Sequence, residues 1–236
     1  MVTATVASIH RVTPNVKQFR LRAPGHTFEY EPGQHTTVHF ERDGEEVVRP
    51  YTPTSRPGTD ELTLAIKRYD DGTASVWMHE RERGDEVELG DIEGNLHLRD
   101  TGRDVALVAT GTGITPMMAM LKEYVDRGAG EARFYFGETD QEHVIYRETL
   151  DQFDADYGDV HVTYSLSRED WNGPTGHVQE HVVDDVGDEL DPGTTDFYVC
   201  GVPGMVVETT DDLADAGVPD ENVYTEGWER DEVAEE

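Results

Sequence analysis

Val105-Ala106-Leu107-Val108-Ala109-Thr110-Gly111-Thr112-Gly113-Ile114-Thr115-Pro116 is the stretch on which the architecture turns. Five consecutive aliphatic residues read as a strand buried on both faces. The glycine-rich turn leads into a segment of helical spacing, with Thr115 expected as N-cap and Pro116 at the first helical position. Strand, tight turn and helix N-terminus together aim backbone N–H groups at an anion such as a pyrophosphate. The pattern is G-x-G-x-x-P, so it meets half of the usual G-x-G-x-x-G dinucleotide fingerprint.

Working outward, short apolar segments alternate with helical ones. Val105 to Ala109, Ala132 to Phe136, Val160 to Leu166, Phe197 to Cys200 and Val223 to Thr225 read as parallel strands. Pro116 to Arg127, Glu142 to Phe153, Val178 to Val186 and Met205 to Ala216 read as helices between them. Such alternation predicts an α/β doubly wound parallel sheet with ligands at the carboxyl ends of its strands. Upstream the grammar differs. Thr3 to Ile9, Val16 to Leu21, His35 to Phe40, Glu61 to Ile66 and Glu86 to Leu89 are short alternating stretches divided by Gly and Pro. They predict an antiparallel β-barrel. Its one predicted helix runs from Ser75 to Arg83, with Ser75 as N-cap and Gly84 past its end. The polar segment Arg99 to Asp104 marks the boundary between two domains, residues 1–100 and 101–236. The charged stretch Glu229 to Glu236 is expected to fray.

The 236 residues carry 51 acidic and 19 basic side chains, a formal charge of −32. So few cations argue against nucleic-acid binding. Acidic residues are spread along the whole chain, whereas a mimic of nucleic acid would gather them on one face. A dispersed carboxylate surface repels itself until molar salt shortens the screening length to about 3 Å, which predicts adaptation to high salt. The aliphatic runs fall far short of the roughly 20 residues that cross a bilayer, so membrane insertion is not expected. With no basic cluster ahead of an apolar stretch near Met1, a cytoplasmic location is expected. One cysteine excludes an internal disulfide and a cysteine-ligated iron–sulfur cluster within the chain.

Chemistry gathers in three places. Arg49-Pro50-Tyr51-Thr52-Pro53-Thr54-Ser55 is followed by Ala65-Ile66-Lys67-Arg68 and Gly72-Thr73-Ala74-Ser75. Arginine offers a rigid fork of donors for phosphate, and tyrosine a flat ring that can stack on an aromatic cofactor. Gly72 permits close backbone approach to a diphosphate, and Ser75 opens a helix whose N–H groups favour an anion. These residues describe a dinucleotide lying across a barrel. The alternative is a Pro-rich loop with an incidental arginine. The second place is the Gly111 turn. In the third, Tyr198-Val199-Cys200-Gly201-Val202-Pro203-Gly204-Met205, a strand again enters a turn and a helix. Cys200 suits a small buried apolar position, and its place at a strand's carboxyl end also puts it where a nicotinamide would sit.

The three motifs in this order resemble the ferredoxin–NADP reductase family over nearly the whole chain. The resemblance implies a barrel that binds FAD and a second domain that binds NAD(P)H. Arg49 would hold the FAD phosphates, with Pro50 beside it, Tyr51 would stack on the isoalloxazine, and Thr52 would bond near the reactive flavin nitrogen. Ile66 and Lys67 would line the flavin, while Gly72, Thr73 and Ser75 would cradle the diphosphate. Gly111, Thr112, Gly113 and Thr115 match the pyrophosphate turn for the nicotinamide nucleotide. Cys200 and Gly201 match the position beside the hydride-donating carbon, and Pro203 shapes the next turn. Tyr224-Thr225-Glu226-Gly227-Trp228 looks like the segment from which an acidic residue and a ring approach the flavin. Tyr51, Thr52, Cys200 and Glu226 are therefore the candidate catalytic residues. The activity implied is hydride transfer between NAD(P)H and FAD, with single electrons passed to or from a small carrier such as ferredoxin.

Ser167-Arg168-Glu169 is similar to the stretch that binds the extra phosphate of NADP, a role suited to arginine. Glu138 and Asp140 pull toward NAD, because a carboxylate there can accept a bond from an unphosphorylated ribose. NADP is the expected nucleotide. Two further functions stay open: a flavin subunit that acts only within a larger complex, and a zinc hydrolase. The second rests on His177-Val178-Gln179-Glu180-His181, an H-x-x-E-H pattern whose histidines would share a helix face.

Overall fold

The structure, a computed structural model, describes residues 1–227. Trp228 and the charged stretch Glu229 to Glu236 lie outside the described residues. The first half folds into a six-stranded antiparallel sheet built from β1 (Val2–Arg11), β2 (Val16–Arg22), β3 (Thr36–Arg42), β4 (Glu45–Tyr51), β5 (Glu61–Lys67) and β6 (Glu86–Leu89). Their order is β4-β3-β6-β1-β2-β5. The sheet curls until its ends meet: Pro53 bridges Leu64, and the Thr54 N–H donates to the Thr63 carbonyl at 2.8 Å. Inward-facing Val6, Phe19, Leu21, Val38, Leu62, Leu64 and Leu89 fill this barrel.

The second half is a parallel sheet in the order β11-β10-β7-β8-β9. Its strands are β7 (Asp104–Thr110), β8 (Ala132–Glu138), β9 (Val160–Leu166), β10 (Thr195–Gly201) and β11 (Val223–Gly227). Along β7, Val105, Leu107 and Ala109 enter one core, while Ala106 and Val108 enter the core on the opposite face. Burial on both faces is why this strand reads as an unbroken apolar run. The first of these cores also takes in Val16, Ala65, Leu96 and Leu98 of the barrel, so the two halves share packed apolar surface. The chain runs outward from β7 to β9 and returns to β10 on the other side of β7. The topological switch point therefore falls between β7 and β10, where a crevice opens past their carboxyl ends.

The helices are α1 (Thr73–His79), α2 (Ile114–Arg127), α3 (Arg147–Asp156), α4 (Val178–Asp184) and α5 (Pro203–Asp215). Three differ from expectation for local reasons. α1 starts at Thr73, with Gly72 in the cap position. Ser75 lies inside the helix, where its hydroxyl accepts the Tyr69 N–H at 3.2 Å. A Cβ on Gly72 would overlap that hydroxyl, so the glycine makes room for the serine. α2 grows directly out of a 3₁₀ turn at Gly111–Gly113. Thr115 is thus already helical, and its hydroxyl donates to the Thr112 carbonyl at 2.9 Å instead of capping. The helix expected over Glu142 to Phe153 is broken: a 3₁₀ turn at Gln141–His143 and a left-handed Tyr146 precede α3.

Two more corrections concern residues with chemistry. Arg49-Pro50-Tyr51 ends a strand, β4, that alternation did not reveal; Pro50 is accommodated because β4 is an edge of the sheet. His177 precedes α4, so it does not share a helix face with His181. The His181 Nε2 lies 3.1 Å from both the Ser165 hydroxyl and the Thr175 carbonyl. Among the described residues, no group of three or more His, Cys, Asp or Glu is arranged to hold a metal ion. No described helix is long and apolar enough to cross a membrane.

Candidate active site between barrel and sheet

Residues two apart on a strand share a face, and that places Arg49 with Tyr51 on β4, and Ala65 with Lys67 on β5. These two faces border a cleft that is open to solvent. Its far end is α1, entered through Gly72, Thr73 and Ser75, and its opposite wall comes from Thr112 and Thr115 of the second half. One cleft thus gathers Arg49, Pro50, Tyr51, Thr52, Lys67, Gly72, Thr73, Ser75, Thr112 and Thr115. Ala65, Tyr69 and Ala74 line it too, and sequence reasoning had assigned none of them a role. Ile66 is not in the lining; it is 1% exposed in the barrel core, and its carbonyl lies 2.8 Å from His79 Nε2.

An orphaned hydroxyl makes the cleft an unfinished site. The Thr52 hydroxyl is buried and has no hydrogen-bond partner among the described residues, a costly state unless a ligand supplies one. Burial also pushes the Tyr51 phenol above its ordinary range, with Arg49 opposing the shift, so the ring stays neutral. A flat heterocycle with acceptor atoms fits both: the Tyr51 ring offers a stacking face, Thr52 a donor, and the Arg49 guanidinium a partner for phosphate.

The crevice past β7 and β10 adjoins this cleft and is shaped by absent side chains. Gly111 has a left-handed φ of +52°, and a Cβ there would meet open space. That leaves an uncluttered backbone surface above the turn. Gly113 packs against β10 so closely that a Cβ would overlap the Cys200 carbonyl. A Cβ on Gly201 would overlap the Thr110 hydroxyl. Cys200 is fully buried and paired in register with Ala109 and Glu226, and Pro203 opens α5 just beyond it. Glu226 brings a carboxylate to the same edge. Its Oε1 lies 3.1 Å from His35 Nδ1 of the barrel, and its Oε2 is buried with no hydrogen-bond partner among the described residues. Nothing in the local pattern around His35 marks it in the sequence. Ser167 and Arg168 follow β9, two strands from β7; their N–H groups donate to the Glu138 and Thr139 carbonyls at 3.0 and 2.9 Å. They stand beside Glu138 and away from the cleft.

The two halves are also joined around Thr54. The Lys122 ammonium of α2 donates to the Thr54 carbonyl at 2.6 Å, and burial lowers its pKa to about 8, with Arg56 adding to the effect. The Tyr146 hydroxyl donates to Gln18 Oε1 at 2.8 Å and lies 3.3 Å from the Thr54 hydroxyl. Arg56 forms a two-pronged ion pair with Asp126 at 2.8 and 3.0 Å.

Comparison with known proteins agrees with this geometry. Residues 3–97 match the oxidoreductase FAD-binding domain family, and residues 107–211 the oxidoreductase NAD-binding domain family. The chain is 31% identical over 239 residues to ferredoxin–NADP reductase B of Sorangium cellulosum, covering 96% of this chain and 97% of that protein. It is 32% identical to NADH-cytochrome b5 reductase 2 of Lodderomyces elongisporus, across 69% of this chain and 57% of that one. Among solved structures, a ferredoxin NADP⁺ reductase from Neisseria gonorrhoeae with bound FAD and NADP superposes with a TM-score of 0.84. It shares 21% identity, with 96% of this chain and 98% of that one covered.

Proposed function

Since the chain belongs to the family of FAD- and NAD(P)-binding oxidoreductases that contains the ferredoxin–NADP reductases, we propose that it moves electrons between NAD(P)H and a small one-electron carrier protein such as ferredoxin. The observation that carries this reading is the partnerless Thr52 hydroxyl, in a cleft walled on one side by Arg49 and Tyr51 and on the other by the Gly111–Thr115 turn.

Bound FAD supplies the exchange between a hydride and single electrons. This chain's own residues hold and orient it. Arg49 takes the phosphates, and the backbone of Gly72 and Thr73 with Ser75 surrounds the diphosphate. Tyr51 covers one face of the ring system and keeps water from it. Thr52 donates its hydroxyl proton to a ring acceptor, while Lys67 borders the ring. On the facing wall, Gly111, Thr112, Gly113 and Thr115 receive the nucleotide pyrophosphate on bare N–H groups. Cys200, Gly201 and Pro203 bound the space for the nicotinamide. The Glu226 carboxylate, steadied by His35 and with one oxygen unpartnered, offers an acceptor at that edge.

NADP is the proposed nucleotide, because the Arg168 guanidinium can pair with an added phosphate. The FAD unit is assigned to residues 1–100 and the nucleotide unit to residues 101–236. The dispersed charge of −32 supports a cytoplasm rich in salt as the setting. The test is a titration of purified protein with NADPH and then NADH in molar salt. The expected result is a yellow preparation that is bleached by stoichiometric NADPH and that needs NADH in excess. A colourless protein that takes up no FAD at high ionic strength would overturn the reading.

A further inference from the structure

We propose that Tyr146 and Lys122 are positioning residues for electron transfer, gripping Thr54 from the nucleotide half so that Thr52 and the Gly111–Thr115 turn keep one fixed register. The inference rests on the FAD- and NAD(P)-dependent reading above. It starts from a residue whose backbone costs energy. Tyr146 has φ +59° and ψ +24°, a left-handed conformation that a bulky side chain rarely adopts and that costs on the order of 1–3 kcal/mol. Strain of this kind persists where tertiary contacts over-determine it. Here the contacts are those of the phenol, which crosses to the barrel to bond Gln18 on β2 and to meet the Thr54 hydroxyl.

Lys122 arrives at the same residue independently. It follows Thr115 by seven positions, two turns of α2, so both lie on the helix face turned toward the barrel. Thr115 lines the cleft, and Lys122 gives up water to donate to the Thr54 carbonyl. A lysine at the surface would avoid that desolvation.

Thr54 is thereby engaged at three atoms: its N–H by Thr63 of the barrel, its carbonyl by Lys122, and its hydroxyl by both the Tyr146 hydroxyl at 3.3 Å and the Thr63 carbonyl at 3.4 Å. Two residues earlier, the Thr52 hydroxyl has no partner. Pro53 between them has a ring-locked φ and acts as a short strut, so a shift of Thr54 carries Thr52 with it. Lys122 in turn moves as one body with Thr115. The clamp thus sets the distance between the two walls across which electrons pass, where a displacement of about 1 Å can cost on the order of a hundredfold in rate.

Tyr146→Phe and Lys122→Met test this in FAD-loaded protein in molar salt. Stopped-flow reduction over a range of NADPH concentrations separates the limiting rate from the nucleotide Kd. The long-wavelength charge-transfer absorbance of the nucleotide complex and the FAD dissociation constant are read alongside. Each variant is expected to lose about tenfold in limiting rate and to show a weaker charge-transfer band, with both dissociation constants within about twofold of wild type. Lys122→Arg, which can still donate to the carbonyl, is expected to restore most of the rate. Unchanged rate and band in both variants would overturn the proposal. So would a rate loss that merely follows FAD release, unfolding or an equal loss of nucleotide affinity. Failure of wild-type protein to bind FAD or to be reduced by NADPH would instead reveal an error in the functional reading beneath it.

Discussion

The two walls of the cleft are made by opposite means. The barrel wall works through what its side chains offer: a guanidinium at Arg49, a ring at Tyr51 and a hydroxyl at Thr52. The sheet wall works through side chains that are missing, at Gly111, Gly113 and Gly201. On the barrel side the backbone is held by its own ladder, so side chains can vary in chemistry without disturbing it. On the sheet side the turn is pressed against β10 with no gap, and the proposed binding surface is the backbone itself. The difference teaches that the first wall should respond to substitution in ligand affinity, and the second in structure as well.

Gly113→Ala should break the comparison most severely. Its new Cβ meets the Cys200 carbonyl, a backbone atom that cannot rotate away. Overpacking of this kind costs about 1–3 kcal/mol, and here the turn must also lift from β10. We expect a clearly lower thermal midpoint together with a tenfold or greater loss of NADPH affinity, read by melting and by equilibrium titration. A variant that melts and binds like wild type would show that the turn can give way.

Thr52→Val should sharpen it. The change keeps the shape and removes a hydroxyl that has no partner among the described residues. The apoprotein should melt no lower than wild type, because leaving a buried polar group unpaired costs about 1–3 kcal/mol. FAD affinity should fall by about tenfold, one net hydrogen bond in worth, as fluorescence quenching on reconstitution would record. A lower apoprotein midpoint with unchanged FAD affinity would make the hydroxyl structural.

The smallest expected effect concerns the seam. Lys122 has a pKa of about 8 in the folded chain, below the ordinary value of about 10.4 expected when unfolded. Between these values the unfolded chain binds more protons, so the stability contributed through this residue rises with pH. The slope is at most about 1.4 kcal/mol per pH unit for a single group. Lys122→Met should flatten that rise in urea melts collected from pH 7.5 to 10.5. Parallel curves for the two proteins would mean that the ammonium is as well solvated as at a surface.

Much of the architecture was legible because burial leaves periodic traces. The parallel strands stand out as aliphatic runs, and the Gly111 turn announces itself between such a strand and a helix. Arg49, Tyr51 and Thr52 were legible from residue chemistry, although the strand carrying the first two was not, since an edge strand with a proline lacks the usual alternation. The cap assignments at Ser75 and Thr115 failed for one reason. Serine and threonine also bond backbone groups from inside a first turn, and local sequence does not separate that use from capping. His35, Gln18, Lys122 and Tyr146 left no trace, because each acts on a residue far away in the chain.

The amino-acid sequence by itself determined the two kinds of sheet, the glycine-shaped turn and the residue types that meet a phosphate or a flat ring. Those are local properties, written in patterns a few residues long. Only the tertiary structure decided that Thr52 is left without a partner while Thr54 is bound on three sides, and that Glu226 comes to rest against His35. Hydrogen bonds between residues 68 to 191 positions apart, such as Lys122 to Thr54 and Glu226 to His35, depend on how two domains pack. Packing satisfies whichever polar groups it brings within reach, and no short stretch of chain specifies which those will be.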